Sequence, residues 1–253
     1  MTIEVTNIVL AFLVFARLGA FFIGIPLFGG EFIPVRMRVA LGIFISLLIH
    51  QYIPHDLSLA KHYIGVILIM INEIFIGLYM AMAVRITFFV LELAGELIST
   101  SIGLVTSQSL NPITGSNSSS IGTLLFYLGL LVFFITGIHH EVLRGFVKSF
   151  EIVPVGQSML EIKSIDQFVR DTSSIFLVGL LIAAPFIALN FMINITFAIL
   201  GKAAPKVNVF ITSFAVRIIA GFTLLASSAA LIVSYIVKKS GQSALNMLEL
   251  LTY

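Results

Sequence analysis

IFLVGLLIAAPFIALNFMINITFAIL, residues 175–200, runs for 26 residues without a formal charge. A helix needs about 20 mostly apolar residues to cross the ~30 Å hydrocarbon core of a bilayer, whereas a buried strand runs about 4–8. The stretch therefore reads as a membrane-length helix, with Pro185 inside it removing one backbone donor. Three other runs share this character. Residues 5–30 hold Arg17 alone and end in Pro26, Gly29 and Gly30; residues 64–91 hold Glu73 and Arg85; residues 207–237 hold only Arg217. Residues 39–53 form a shorter uncharged segment, marginal as a span, and residues 123–138 a further hydrophobic helix. The expected fold class is thus an all-α integral membrane-type protein of about six long hydrophobic helices, several of them kinked or broken.

The totals agree with that pattern. Of 253 residues 59% are hydrophobic and 10% charged, and the mean hydropathy is +1.12. Soluble domains carry roughly 25% charged residues, so a soluble globule is excluded. No cysteine is present, which removes disulfides, Cys-based metal sites and thiol catalysis. The net charge of +2 makes nucleic acid an unexpected partner. With no Trp and 23 Phe, the Trp part of an aromatic belt is missing and Phe serves as packing material. No Lys or Arg precedes Arg17 and no small-residue cleavage site follows, so the first run is expected to persist as a helix, not to be removed as a signal peptide.

Two segments differ from the rest. Within residues 106–120, TSQSLNPITGSNSSS, eleven of fifteen residues are Ser, Thr, Asn or Gln, and with Pro112 and Gly115 the segment reads as a loop. On composition alone it is either an exposed connector or a loop that closes a conduit. Residues 139–174 carry nine of the 26 charges; an apolar stripe through Val142, Phe146 and Phe150 predicts an amphipathic helix ending before Pro154, and Ser164 with Gln167 predicts a second start. Loop charges orient nothing: five Lys or Arg fall on one side, seven on the other.

No catalytic motif is visible. HExxH, GxSxG and GxxxxGK[ST] are absent, and His139 and His140, adjacent on a helix, lie about 100° apart and cannot chelate as i, i+4 partners do. No catalytic, cofactor-binding or metal residue is assigned, and no cofactor is expected. The informative charges are those inside apolar runs, each unfavourable by about 2.5–3.5 kcal/mol at mid-membrane. Arg17, Arg85 and Arg217 stand against Glu73, Glu92 and Glu96. They are read as structural ion pairs joining helices, with a proton relay as the competing reading. Gly95, Ser99, Gly103 and Ser107 recur every four residues, a stripe that lets another helix approach closely.

Four blocks resemble the FliR family of flagellar and type III secretion export-gate proteins. They are RLGAFFIGIPLFGGEFIPVRMRVALGIFISL (17–47), EIFIGLYMAMAVRITFFVLELAGELISTSIGLVTSQSLNP (73–112), GIHHEVLRGFVKSFEIVPVG (137–156) and LGKAAPKVNVFITSFAVRIIAGF (200–222). Asn111 departs from the acid usual before that proline, and Ser213-Phe214-Ala215 from a Gly-Phe-Pro. The resemblance implies a single chain-long domain, 1–253: a FliP-like part (1–138), a charged connector (139–174) and a FliQ-like hairpin with its tail (175–253). It also implies helical hairpins in a hetero-oligomeric gate with FliP and FliQ, contacted by FlhB, in the bacterial inner membrane and the flagellar basal body. That gate passes unfolded flagellar subunits. The polar loop, at about 106–120, becomes a pore plug in this light, with Ser107 and Gly115 among its residues and Leu110, Asn111, Pro112 and Ile113 its bulkier centre. The alternative class is a proton-coupled secondary transporter using Glu73, Glu92 and Glu96. An intramembrane protease is disfavoured by the missing catalytic pair.

Overall fold

The computed structural model describes residues 5–26, 33–55, 63–104, 119–157, 162–204, 206 and 208–252. Seven α-helices appear among them: α1 (Val5–Gly24), α2 (Val35–Ile49), α3 (Tyr63–Ile102), α4 (Ser120–Ile135), α5 (Ile138–Ile152), α6 (Ile162–Ala203) and α7 (Val209–Thr252). A single 3-10 turn, His50–Tyr52, follows α2. No strand occurs among the described residues; one isolated parallel bridge joins His55 to Val155. Five helices are long and apolar enough to span a membrane, and six spans result if α4 and α5 count as one bent span. The 175–200 stretch lies inside α6, whose helix runs through Pro185.

Local chemistry explains the helix ends. The Ser119 hydroxyl accepts the Gly122 N–H at 2.9 Å, an N-cap that opens α4. Gly103, at φ 90°, closes α3: its N–H reaches the Thr100 carbonyl at 3.1 Å and the Leu104 N–H reaches Ser99 at 2.9 Å. This is the Schellman arrangement, which requires a left-handed residue past the helix end. Gly103→Ala is expected to lower stability by about 1–2 kcal/mol, the penalty of a Cβ in that region. The thermal midpoint of the purified chain checks it, and an unshifted midpoint would refute the cap.

One sequence expectation changes. The start expected at Ser164 is not a boundary, since α6 begins at Ile162 and continues without interruption to Ala203. No Pro or Gly lies between 162 and 178 to stop it, and the charges of 163–171 sit on a helix as readily as on a connector.

The chain divides into two compact units. The first comprises Met1–Thr87, Gly137–Asp171 and Lys239–Tyr253. Its core is built from Leu13, Leu18 and Phe21 of α1, Ile76 and Met80 of α3, and Phe146 of α5. Phe21 stacks on Phe146 with ring centroids 4.6 Å apart. The second unit comprises Phe88–Thr136 and Thr172–Lys238. There Leu91 and Ile98 of α3, Leu125 of α4, Phe186 of α6, and Ile232 and Ile236 of α7 form one apolar cluster. Since α6 and α7 are separated by only a few residues yet share this cluster far from the turn, they fold back as a hairpin.

Candidate functional site

The first unit holds a charged side chain with no exposure at all. The inward stripe of α1 passes through Leu10, Val14, Arg17, Leu18 and Phe21, so the helical period carries Arg17 into the core. On α3, Ile69, Glu73, Ile76 and Met80 form the matching stripe, and Glu73 is equally buried. Arg17 Nε donates to Glu73 Oε2. Burying two ions is unfavourable by several kcal/mol each unless their remaining hydrogen-bonding capacity is also met.

Here it is met by the end of α5 and the turn after it. Arg17 Nη2 donates to the Val153 carbonyl at 3.0 Å, and Nη1 lies 3.4 Å from both the carbonyl and the hydroxyl of Ser149. These carbonyls belong to a helix C-terminus, where the negative end of the dipole favours a cation; that of Ser149 also accepts the Val153 N–H at 2.9 Å. Glu73 Oε1 accepts the Gly156 N–H at 3.2 Å. The guanidinium carbon sits 4.2 Å above the Phe150 ring, a cation–π contact. The planar fork of arginine suits this set of differently directed acceptors, which a lysine could not reach together.

Segment 153–157 is held from several sides. Asn72 Nδ2 donates to the Gln157 carbonyl at 2.6 Å, and the Val155 N–H to the Pro54 carbonyl at 3.2 Å. Gly156 has φ 98°, a conformation that favours glycine. Gly77, one turn beyond Glu73, lets α1 approach: a Cβ there would collide with the Arg17 carbonyl. The clamp therefore joins α1, α3 and the α5 end. With both ions fully engaged, the arrangement locks helices.

The other residues singled out in the sequence are distributed as follows. Arg85 is partly exposed on α3, while Glu92 and Glu96 occupy exposed positions. Arg217, on α7, donates from Nη2 to Ser213 Oγ at 3.1 Å. Gly95 faces Gly122 so closely that a Cβ on Gly95 would collide with the Gly122 backbone. Ser99 is fully buried one turn further on, and Gly103 is in van der Waals reach of Phe214. Ser107, Leu110, Asn111, Pro112, Ile113 and Gly115 lie outside the described residues. Among the described residues no three His, Asp or Glu side chains group to hold a metal ion. Sequence reasoning missed Ser149, Val153 and Gly156 as partners of the charges, because two of them act through backbone groups that any residue carries.

Three of the four blocks quoted above supply the clamp: Arg17 comes from the first, Glu73 from the second, and Ser149 to Gly156 from the third. The profile of bacterial export proteins, family 1, matches residues 8–242. The chain belongs to this family. Among its relatives, the flagellar biosynthetic protein FliR of Caulobacter vibrioides is 29% identical over 223 residues, covering 88% of this chain and 89% of that one. FliR of Bacillus subtilis is 27% identical, covering 84% and 83% respectively. FliR of Escherichia coli is 24% identical, covering 83% and 80%. As a family 1 export protein with five to six apolar spans, the chain is an inner-membrane component of flagellar export. In this family 1 protein the clamp ties the long α3 to its amino-terminal helix.

Proposed function

We propose that this family 1 export protein is a non-enzymatic pore subunit of the flagellar type III export gate, assembled with FliP and FliQ and contacted by FlhB. It helps form the conduit for unfolded flagellar proteins across the inner membrane. The observation that carries the reading is the bareness of the α6–α7 hairpin. Only 17% of the Thr172–Ala203 window and 11% of the Val209–Lys239 window are buried within the chain. Phe176, Phe191, Phe210 and Leu231 are each at least 65% exposed. Such faces suit a wedge whose neighbours are other helices. In the first unit the clamp joins α1, α3 and the end of α5, while α2 is as bare as the hairpin. The amino-terminal part is the FliP-like portion, residues 139–174 connect, and the carboxy-terminal hairpin is FliQ-like.

Loop 106–120 acts as the plug of the closed conduit: small polar residues fill a lumen without binding tightly to it, and a passing chain displaces them. Deleting 106–120 and measuring ion leak through the complex co-expressed with its export partners tests this. Leak is expected to rise clearly above that of the intact complex, and an unchanged leak would refute the plug. The transporter reading is less well supported, because Glu73 has both carboxylate oxygens engaged and no exposure to a water path.

A further inference from the structure

The α6–α7 hairpin carries polar groups at a depth where, among the described residues, other helices do not answer them. Asn190 and Asn194 stand one turn apart on α6, and among the described residues their side chains hydrogen-bond only to each other, Asn194 Nδ2 donating to Asn190 Oδ1 at 3.4 Å. That single long contact leaves most of their amide donors unused. The hydroxyls of the same hairpin behave differently: Thr196, Thr223 and Ser227 each donate back to a carbonyl of their own helix. An asparagine in a membrane span lacks that self-sufficient alternative, and an unmet amide facing lipid is unfavourable by about 1–3 kcal/mol or more.

Arg217 provides an independent observation on the other helix. It is the one charge within residues 207–237; among the described residues its Nε is buried without a hydrogen-bond partner, and its one side-chain bond, to Ser213 Oγ, remains within α7. Among the described residues no carboxylate comes within ion-pair distance of it. In the antiparallel hairpin the two features share a level. Asn194 lies nine residues before the end of α6 at Ala203, and Arg217 eight residues after the start of α7 at Val209. At 1.5 Å per residue both are about 12–14 Å from the turn, with Asn190 at about 20 Å.

We propose that this tier is a docking surface for a membrane helix of a partner subunit that carries a carboxylate. The tier is rich in donors and holds one positive charge, and a carboxylate is acceptor-only, negative and matched to a guanidinium fork. A lipid phosphate could meet Arg217 near a membrane surface, but it would not follow the amides to Asn190, about one further turn inward. The assignment rests on the gate reading above, which supplies partner helices; the chemistry of the partner comes from the hairpin.

The test uses the full chain co-expressed with the other flagellar export membrane proteins, with a photo-crosslinking residue at Phe191, an exposed position beside the two asparagines. A protein adduct is expected, mapping within about a turn of an Asp or Glu in a membrane helix of another subunit. Arg217→Gln is expected to cut its yield about thirtyfold or more, the effect of removing one partner of a desolvated charge pair, and Arg217→Lys to restore much of it. Because Arg217→Gln also removes the bond to Ser213 within α7, Asn190→Leu with Asn194→Leu serves as the second variant: it should accumulate at least as well as the parent chain while losing adduct. Adducts only to lipid or to a second copy, adducts remote from any acid, or undiminished adducts in the double-leucine variant would each overturn the proposal. The conduit reading is judged separately by the leak of the loop deletion, so a leaking complex without this adduct would overturn the docking surface alone.

Discussion

Arg17→Met is expected to destabilise the chain by about 3–5 kcal/mol, because Glu73 would be left as a buried charge without its cation. That is a large part of the roughly 5–15 kcal/mol by which whole domains are stable. The variant should therefore accumulate poorly in the membrane and show a strongly lowered thermal midpoint after purification. Arg17→Lys keeps the charge but cannot reach Glu73, Ser149 and Val153 at once, and should fall between the two. The informative variant is the pair Arg17→Met with Glu73→Met. Replacing both ions by apolar groups removes the desolvation penalty along with the attraction, so much of the loss should be recovered. If Arg17→Met alone matches the parent chain in accumulation and midpoint, the clamp does not hold the unit together.

Gly95→Ala is the second large effect, and its sign is opposite to the usual one. In an open helix, Gly to Ala stabilises by about 0.5–1 kcal/mol through reduced backbone freedom and better helix propensity. Gly19→Ala should follow that rule, since a Cβ there meets nothing within 4 Å. At Gly95 the methyl would collide with the backbone of Gly122 in α4, which cannot move aside as a flexible side chain can. Overpacking of this kind is unfavourable by about 1–3 kcal/mol or more, so Gly95→Ala should lower the midpoint while Gly19→Ala raises it. Equal behaviour of the two variants would show that α3 and α4 do not approach through these glycines.

Much of the architecture is legible along the chain because its cause is local. A run such as 175–200 is long, apolar and uncharged, and a single run of that kind satisfies its own backbone across a bilayer only as a helix. The amphipathic helix before Pro154 is equally plain, since Val142, Phe146 and Phe150 repeat at helical spacing and are buried in α5. The boundary expected at Ser164 shows where local cues mislead: capping spacing is only permissive, and an unbroken α6 leaves it unused.

The candidate site was legible in its charges and not in its wiring. Composition marks Arg17 and Glu73 as costly to bury, but no spacing rule links residues 56 apart, or an arginine to carbonyls 132 and 136 positions later. The same holds for Arg217, whose bond to Ser213 is an i, i+4 contact that the census of ions did not consider.

By itself, then, the sequence determined an all-α membrane protein with a few charges placed inside apolar helices, because hydropathy and helical period act over a few turns. Only the tertiary structure decided that Arg17 closes on Glu73 and on the end of α5, whereas Arg217 keeps its hydrogen bond within its own helix. The physical reason is desolvation. A buried ion is tolerated only where its partners are already positioned, and their positions are set by which helices pack together.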